Sequence, residues 1–329
     1  MLNFKVKDSL VNQRLDQALK QWISEYLKTE VTTAVCKKMI ANGEVYLNGQ
    51  ATTCCSKTLF KNAKVCFFWN TQQSEINKIV PIFEDKKILA IYKPKGLASQ
   101  STKDRQETNA FDQAQFYLCS KAHGKWAYCG MHHRLDQQTQ GLMIFSKSRS
   151  ANPHLSFMFQ NHTIKKDYLA VVASETPFDE TSFQIDTQMS RKFMAGRYVS
   201  RVVPLGGKNA KTRIQVIYQG TNYTLLRARP ITGRTHQIRL HLSHIMRPIV
   251  GDTLYGSTNK GPLGLLAEKV TIPGSKMGSY QRPIQTPPAN IKTFLEEYFH
   301  PEEVTTILDQ LSFPSPQVTK QPESDIDNS

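Results

Sequence analysis

His133-Arg134-Leu135-Asp136-Gln137-Gln138-Thr139-Gln140-Gly141-Leu142, with the apolar Met143-Ile144-Phe145 behind it, is the stretch that decides how this chain folds and reacts. It presents one carboxylate inside a tight turn, directly ahead of a strand expected from Leu142 to Ser146. An aspartate held in this way is placed for chemistry, because a carboxylate can act as a nucleophile or as a base. Most Asp-x-x-Thr sequences only cap a turn, so the stretch gains its meaning from what accompanies it.

Composition bounds the partners. At 329 residues the chain is long enough for two domains, and 39% hydrophobic with 9% aromatic content is ordinary for globular protein. Forty-two Lys+Arg against 27 Asp+Glu leave a net charge of +15 and a pI near 9.5. Such an excess favours a polyanion, RNA or DNA, over the alternative of a merely basic enzyme. Cys36, Cys54, Cys55, Cys66, Cys119 and Cys129 form no Cys-x-x-Cys pair and no Cys/His ligand spacing, so neither a metal site nor a disulfide framework is expected. The segment Met1 to Asp8 is polar and charged where a signal peptide needs an apolar core, and no run of 18 apolar residues occurs. These features predict a cytoplasmic protein with reduced thiols and no membrane partner, acting as a monomer.

The chain divides by pattern. Leu15, Ala18, Leu19 and Trp22, then Val35, Met39 and Ile40, recur at helical spacing and predict two short helices. Asn42-Gly43-Glu44-Val45-Tyr46-Leu47-Asn48-Gly49 is an alternating strand between two Asn-Gly turns, and Ala63 to Trp69 is a further strand. Residues 71–79 are polar and without period, as a linker would be. Ile88 to Tyr92 then opens a second domain as a strand, stopped by the turn Lys93-Pro94-Lys95-Gly96. Further strands are expected at Leu142–Ser146, Tyr168–Ala173, Lys211–Tyr218, Thr224–Ala228 and Val270–Ile272, and helices at Ala110–Cys119, Ser150–Gln160, Arg234–Ser243 and Ala289–Tyr298. Because strands and helices do not alternate, an α+β domain on a mixed, mainly antiparallel sheet is expected over a doubly wound one. The domains are thus expected at 1–70 and 80–313, with a disordered polar tail at 314–329.

Several motifs, in order, resemble those of the RluA-type family of RNA pseudouridine synthases. Lys93-Pro94-x-Gly96-Leu97 is similar to the first, although Ser99-Gln100 departs from the His-Pro pair that often follows it. His133 to Gly141 resembles the signature His-Arg-Leu-Asp-x-x-Thr-x-Gly, with Gln140 in place of the usual Ser. Lys166-Asp167-Tyr168-Leu169-Ala170-Val171-Val172 resembles the family's Lys-x-Tyr strand. Pro230-Ile231-Thr232-Gly233-Arg234-Thr235-His236-Gln237-Ile238-Arg239-Leu240-His241-Leu242 is almost verbatim, and Pro248 to Gly256 completes the set. Met246-Arg247 and Leu266-Ala267 replace Gly-His and His-Ala, which marks an outlying member.

The resemblance implies a pseudouridine synthase fold and a reaction without cofactor or metal. It makes Asp136 the catalytic carboxylate, Tyr168 the active-site tyrosine and Arg239 the arginine that pairs with Asp136. Considered alone, Tyr168 reads as an ordinary strand tyrosine. Thr232 is placed to cap a helix opening at Gly233, and His236 and His241 read as structural histidines. Arg134 matches the residue that fills the gap left when the target uridine is flipped out of its stack, and Arg234 is a further expected RNA contact. The first 70 residues, with Arg14-Leu15-Asp16 and Gly43 to Gly49, resemble the RNA-binding module named after ribosomal small-subunit protein four. Lys37 and Lys38 would there meet phosphates, or else lie on a solvated helix face. Such a module typifies members acting on large-subunit ribosomal RNA, so that substrate is expected, with transfer RNA as the alternative. A non-catalytic RNA-binding or ribosome-assembly protein is the competing class. A hydrolase would need a second carboxylate at the reacting bond, and no motif supplies one.

Overall fold

The computed structural model describes residues 2–27, 30–67, 79–100, 109–122, 127–194, 197–273 and 283–311. The expected linker at 71–79, apart from residue 79, and the expected tail at 314–329 lie outside these residues, as do the last two of the strand predicted to end at Trp69.

A small four-stranded sheet comes first. Strands β1 (Leu2–Lys5), β2 (Val45–Leu47), β3 (Gln50–Ala51) and β4 (Lys64–Phe67) pair in the order β1-β4-β2-β3, with helices α1 (Leu15–Leu27) and α2 (Thr33–Ala41) between β1 and β2. Leu15, Ala18, Leu19 and Ile23 of α1 are buried with Cys36, Met39 and Ile40 of α2 against Val45, Val65 and Phe67, whereas Val35, expected on the same face of α2, is exposed and Cys36 takes its place. Asn48 and Gly49 both have positive φ (52° and 83°), the mirror-image turn that a two-residue hairpin between β2 and β3 needs.

A second sheet, of eleven strands among the described residues, holds the rest together. Its strands are β5 (Val80–Glu84), β6 (Ile88–Lys93), β7 (Gly130–Met131), β8 (Gln140–Ser146), β9 (Lys165–Ala173), β10 (Ser182–Met194), β11 (Arg197–Val203), β12 (Lys208–Gln219), β13 (Tyr223–Pro230), β14 (Leu265–Thr271) and β15 (Ile284–Gln285). The main path runs β11-β10-β12-β13-β9-β14-β8-β6-β5, and every pairing of named strands is antiparallel except β14 with β8. The mixed, mainly antiparallel α+β class is therefore what the chain adopts. Helices α3 (Ala110–Lys121), α4 (Ala151–Gln160), α5 (Gln237–His244), α6 (Pro288–Leu295) and α7 (Pro301–Gln310) pack on this sheet. Strands β6 and β8 are buried along their whole length, with Ala110 and Ala114 of α3 and Leu155 of α4 in the same cluster.

Three departures from the sequence reading have physical causes. Strands β10 and β11 lie where no element was expected, although Phe183, Ile185 and Met189 alternate with Gln184, Asp186 and Gln188 in a period of two. Helix α7 was also missed; Val304, Ile307 and Leu311 are buried on one side of it. Thr232 caps nothing, because the helix expected from Arg234 starts at Gln237 after His236, which sits in the left-handed region (φ 56°, ψ 25°). The Thr232 hydroxyl instead donates to Gln237 Oε1 at 2.7 Å and accepts from the Lys211 amide at 3.0 Å, tying the loop to β12.

The two sheets meet. Tyr46 and Cys66 of the first pack with Cys119 of α3, beside Ala51 and Ala127.

Candidate active site

The Asp136 loop lies between β7 and β8 and is held from behind by the turn that follows β6. The Gly96 amide donates to the Gln137 carbonyl at 2.9 Å, and Gln137 Nε2 donates back to the Gly96 carbonyl at 3.0 Å. The Lys93 ammonium, fully buried, donates to the carbonyls of Pro94, Leu97 and Gln137 at 2.9, 2.7 and 3.1 Å. Burial pulls its pKa down to about 7, against the opposing charge of Asp136. Ser99 supplies the other clamp: its hydroxyl donates to the Leu135 carbonyl at 2.6 Å and accepts from the Leu135 amide at 3.0 Å. Both backbone groups of the residue before Asp136 are thereby satisfied inside the protein.

Gly141 fixes where the loop ends. Its φ is 113°, and a Cβ there would run into the Ala267 carbonyl, because β8 and β14 pair in parallel at Gly141 and Ala267. His133 is turned inward, accepting from the Ile144 amide at 3.0 Å and stacking on Phe159 at 4.8 Å. The next residue, Arg134, is exposed.

Arg239 joins two carboxylates. Its Nε and Nη2 donate to Asp252 at 2.7 and 2.8 Å, and Nη1 donates to Asp136 Oδ2 at 2.9 Å. Asp252 is 1% exposed and Asp136 28% exposed, so the arginine anchors in the first and leaves the second open to a ligand. Burial opposes the guanidinium charge, but the hydrogen bonds and charge of Asp252, with the charge of Asp136, hold its pKa above the usual arginine value. Tyr255 lies under the guanidinium, its ring centroid 5.2 Å from Cζ. His236 completes the surround: Nε2 is 3.6 Å from Asp136 Oδ1, and Nδ1 is 2.8 Å from the Tyr255 hydroxyl. Burial lowers the His236 pKa, with the charge of Asp136 acting against that trend.

Tyr168 stands in the middle of the sheet, where its register partners are Ala228 on β13 and Ala267 on β14. Small neighbours leave room beside the ring. Burial raises its pKa above the ordinary tyrosine value and the nearby Asp136 charge adds to the rise, so the phenol keeps its proton. The neighbouring residues of β9, β13 and β14 are locked by buried ion pairs. Arg229 grips Asp167 at 2.5 and 2.8 Å, and Arg227 grips Glu268 at 2.8 Å through two bonds.

Asp136, Tyr168 and Arg239, read from separate motifs, are thus neighbours. Arg134 lies two residues before Asp136 in the chain; Arg234 is partly buried, its Nε donating to the Asn209 carbonyl at 3.1 Å. Lys37 and Lys38 are exposed on α2, in the other sheet's unit. His241 is structural as expected, bridging Thr212 at 2.9 Å and Thr187 at 3.0 Å. Asp252 was passed over, although it falls in the quoted Pro248 to Gly256 segment. Gln140, the departure from the signature, accepts from the Tyr92 hydroxyl at 2.7 Å and is buried, with its Nε2 unpaired. Among the described residues no group of three or more His, Cys, Asp or Glu could hold a metal ion.

A family model described as RNA pseudouridylate synthase matches residues 87–244, which contain Asp136, Tyr168 and Arg239. Over 281 residues the chain is 30% identical to the ribosomal large subunit pseudouridine synthase D of Haemophilus ducreyi, covering 82% of this chain and 81% of that one. This chain belongs to the RluA-type family of RNA pseudouridine synthases. It is an isomerase acting on RNA. The synthase is also 30% identical to the protein of the same name from Yersinia pestis, over 80% of this chain and 79% of that one. In fold it is similar to human RNA pseudouridylate synthase domain containing 4, with a TM-score of 0.53 at 22% identity, over 66% of this chain and 92% of that one.

Proposed function

We propose that this synthase converts uridines of large-subunit ribosomal RNA to pseudouridine, with Asp136 driving cleavage of the N1–C1′ bond. The freed uracil turns in place, C5 bonds to C1′, and the proton lost from C5 is balanced by the one gained at N1. No atom leaves, so a single carboxylate suffices where a hydrolase needs two. The observation that carries this reading is Arg239 Nη1 at 2.9 Å from a partly open Asp136, with the guanidinium itself locked on Asp252. Asp252 is not placed to act as a second acid, since it is buried and both its oxygens hold the guanidinium fork. Tyr168 packs on the uracil and assists removal of the C5 proton.

The target uridine is flipped out of its stack at a cost of a few kcal/mol, smallest where the base is unpaired or mismatched. Arg134, exposed two residues before Asp136, fills the vacated position. Residues 1–70 form an RNA-binding module in which Lys37 and Lys38 meet phosphates, and Arg234 adds a contact nearer the cleft. The ribosomal substrate is supported by relatives named for the ribosomal large subunit that match 80–82% of this chain.

Total cellular RNA carrying tritium at C5 of uridine tests the reading. The protein is expected to release tritium from the large-subunit ribosomal fraction, and Asp136→Ala to release none. Release from transfer RNA alone would replace the substrate, and release by Asp136→Ala would remove Asp136 from the chemistry.

A further inference from the structure

The sequence reading leaves His236 as a structural histidine, yet it occupies a position that structure alone does not require. It is a non-glycine residue at φ 56°, a conformation that costs free energy and persists at sites where the surroundings impose it. Its imidazole lies between the Tyr255 hydroxyl, 2.8 Å from Nδ1, and Asp136 Oδ1, 3.6 Å from Nε2. Arg239 holds the other oxygen, Oδ2.

We infer that His236 is a positioning residue for the isomerisation: it donates its Nε2 hydrogen to Asp136 Oδ1 in the RNA complex, so that His236 and Arg239 together fix the carboxylate plane. This rests on the assignment of Asp136 as the reacting group. Of the two tautomers open to this pair, the one in which the Tyr255 hydroxyl donates to Nδ1 puts the hydrogen on Nε2, facing the carboxylate, whereas the other would set a lone pair against it. Burial favours the un-ionised forms of both His236 and Tyr255, so each brings one hydrogen to the chain of Tyr255, His236 and Asp136 near neutral pH. The groups whose charges act on His236 are Asp136, Arg239, Asp252 and Arg191, two of each sign, which suits a neutral ring. At 3.6 Å the donor lies just beyond hydrogen-bonding reach, and catalytic hydrogen bonds often tighten when substrate closes the site. The held position of Tyr255 supports the relay: its backbone carbonyl accepts from Ser243 at 2.6 Å, and its ring lies under Arg239.

Two substitutions separate positioning from folding. The side-chain nitrogen of glutamine overlays Nε2 of histidine and that of asparagine overlays Nδ1, whereas asparagine tolerates the left-handed backbone better. His236→Gln therefore keeps a donor toward Asp136 at a higher backbone cost, and His236→Asn keeps the backbone and loses the donor. In single-turnover tritium release, His236→Asn is expected to lower kcat about tenfold or more with KM for RNA within about twofold, and His236→Gln to recover most of it. Equal losses in the two variants, losses that track melting temperature, or an unchanged kcat in His236→Asn would overturn the inference. Should His236→Asn fail to fold, Tyr255→Phe, which removes only the hydroxyl, is expected to lower kcat several-fold, and an unchanged kcat there would overturn it equally. Asp136→Ala is assayed beside them: if it retains activity, the assignment of Asp136 fails, whereas a dead Asp136→Ala with a normal His236→Asn removes His236 alone.

Discussion

At the scale of single residues, Arg239 shows how an ion pair gives direction rather than stability. Its fork is committed to the buried Asp252, and its remaining Nη1 is thereby aimed at Asp136. A lysine at this position carries the charge but not the planar set of donors. Arg239→Lys is expected to lower kcat on the order of 10²-fold through loss of orientation, with RNA affinity nearly unchanged, measured by single-turnover tritium release. Arg239→Ala is expected to do more harm to the fold, because it strands the buried Asp252 charge at a cost of about 3–5 kcal/mol. Asp136, Tyr168 and Arg239 were legible because each sits in a motif whose residues are adjacent in the chain. Asp252 and His236 were not, because their roles exist only in the folded geometry, Asp252 through its grip on the fork of Arg239 and His236 through its approach to Asp136 across the site. For His236 the deciding fact is a backbone angle, and nothing in the residue name reveals it.

At the scale of elements, the site is placed by how few residues separate a buried strand from the reacting loop. Strand β8 is buried throughout and begins at Gln140, four residues after Asp136, so the register of β8 against β14 and β6 sets the height of the carboxylate. Gly141 is the residue that permits this register, since the Ala267 carbonyl occupies the space of a side chain. Gly141→Ala is expected to destabilise the protein by more than about 1 kcal/mol, through positive φ and backbone collision together, and to lower kcat as β8 shifts. Chemical denaturation beside the tritium assay checks both; an unchanged midpoint would show that the strands separate at no cost. The strands flanking the site were read because they are short and apolar. The β10–β11 ribbon was not, because its alternating face carries Thr187 and Arg191 among the apolar residues and so resembles a polar loop. It is nevertheless part of the site's wall: the Ser200 hydroxyl of β11 donates to the Thr235 carbonyl at 2.9 Å, immediately before His236.

At the scale of the whole molecule, buried histidines link the fold to pH. Burial pushes His132 and His241 down to about 4 and His133 to about 3, so all three are neutral in the folded protein while the unfolded chain takes up protons below about 6.5. Each folded pKa is depressed, so their contribution is complete above about 6.5 and is lost as pH falls toward 4 and 3, at up to about 1.4 kcal/mol per pH unit for each group. Unfolding free energies at pH 7, 6 and 5 are expected to fall increasingly steeply, and His241→Gln to flatten the slope; a flat profile between pH 7 and 5 would contradict the burial of these rings. The contact between the two sheets leads to a different measurement. Tyr46 is almost fully buried, yet it is absent from the apolar cluster that holds the first sheet to its own helices, and it packs on Cys119 of α3 instead. Removing its ring should therefore leave both units folded and loosen only their docking. If residues 1–70 hold RNA for the catalytic unit, docking converts two weak contacts into one strong one by raising the effective concentration of the second. Tyr46→Ala is then expected to raise KM for long ribosomal RNA several-fold while kcat, and KM for a short hairpin reaching only the cleft, stay unchanged. An equal change for both RNAs would mean that the first sheet supports the catalytic unit mechanically and contributes no RNA contact of its own.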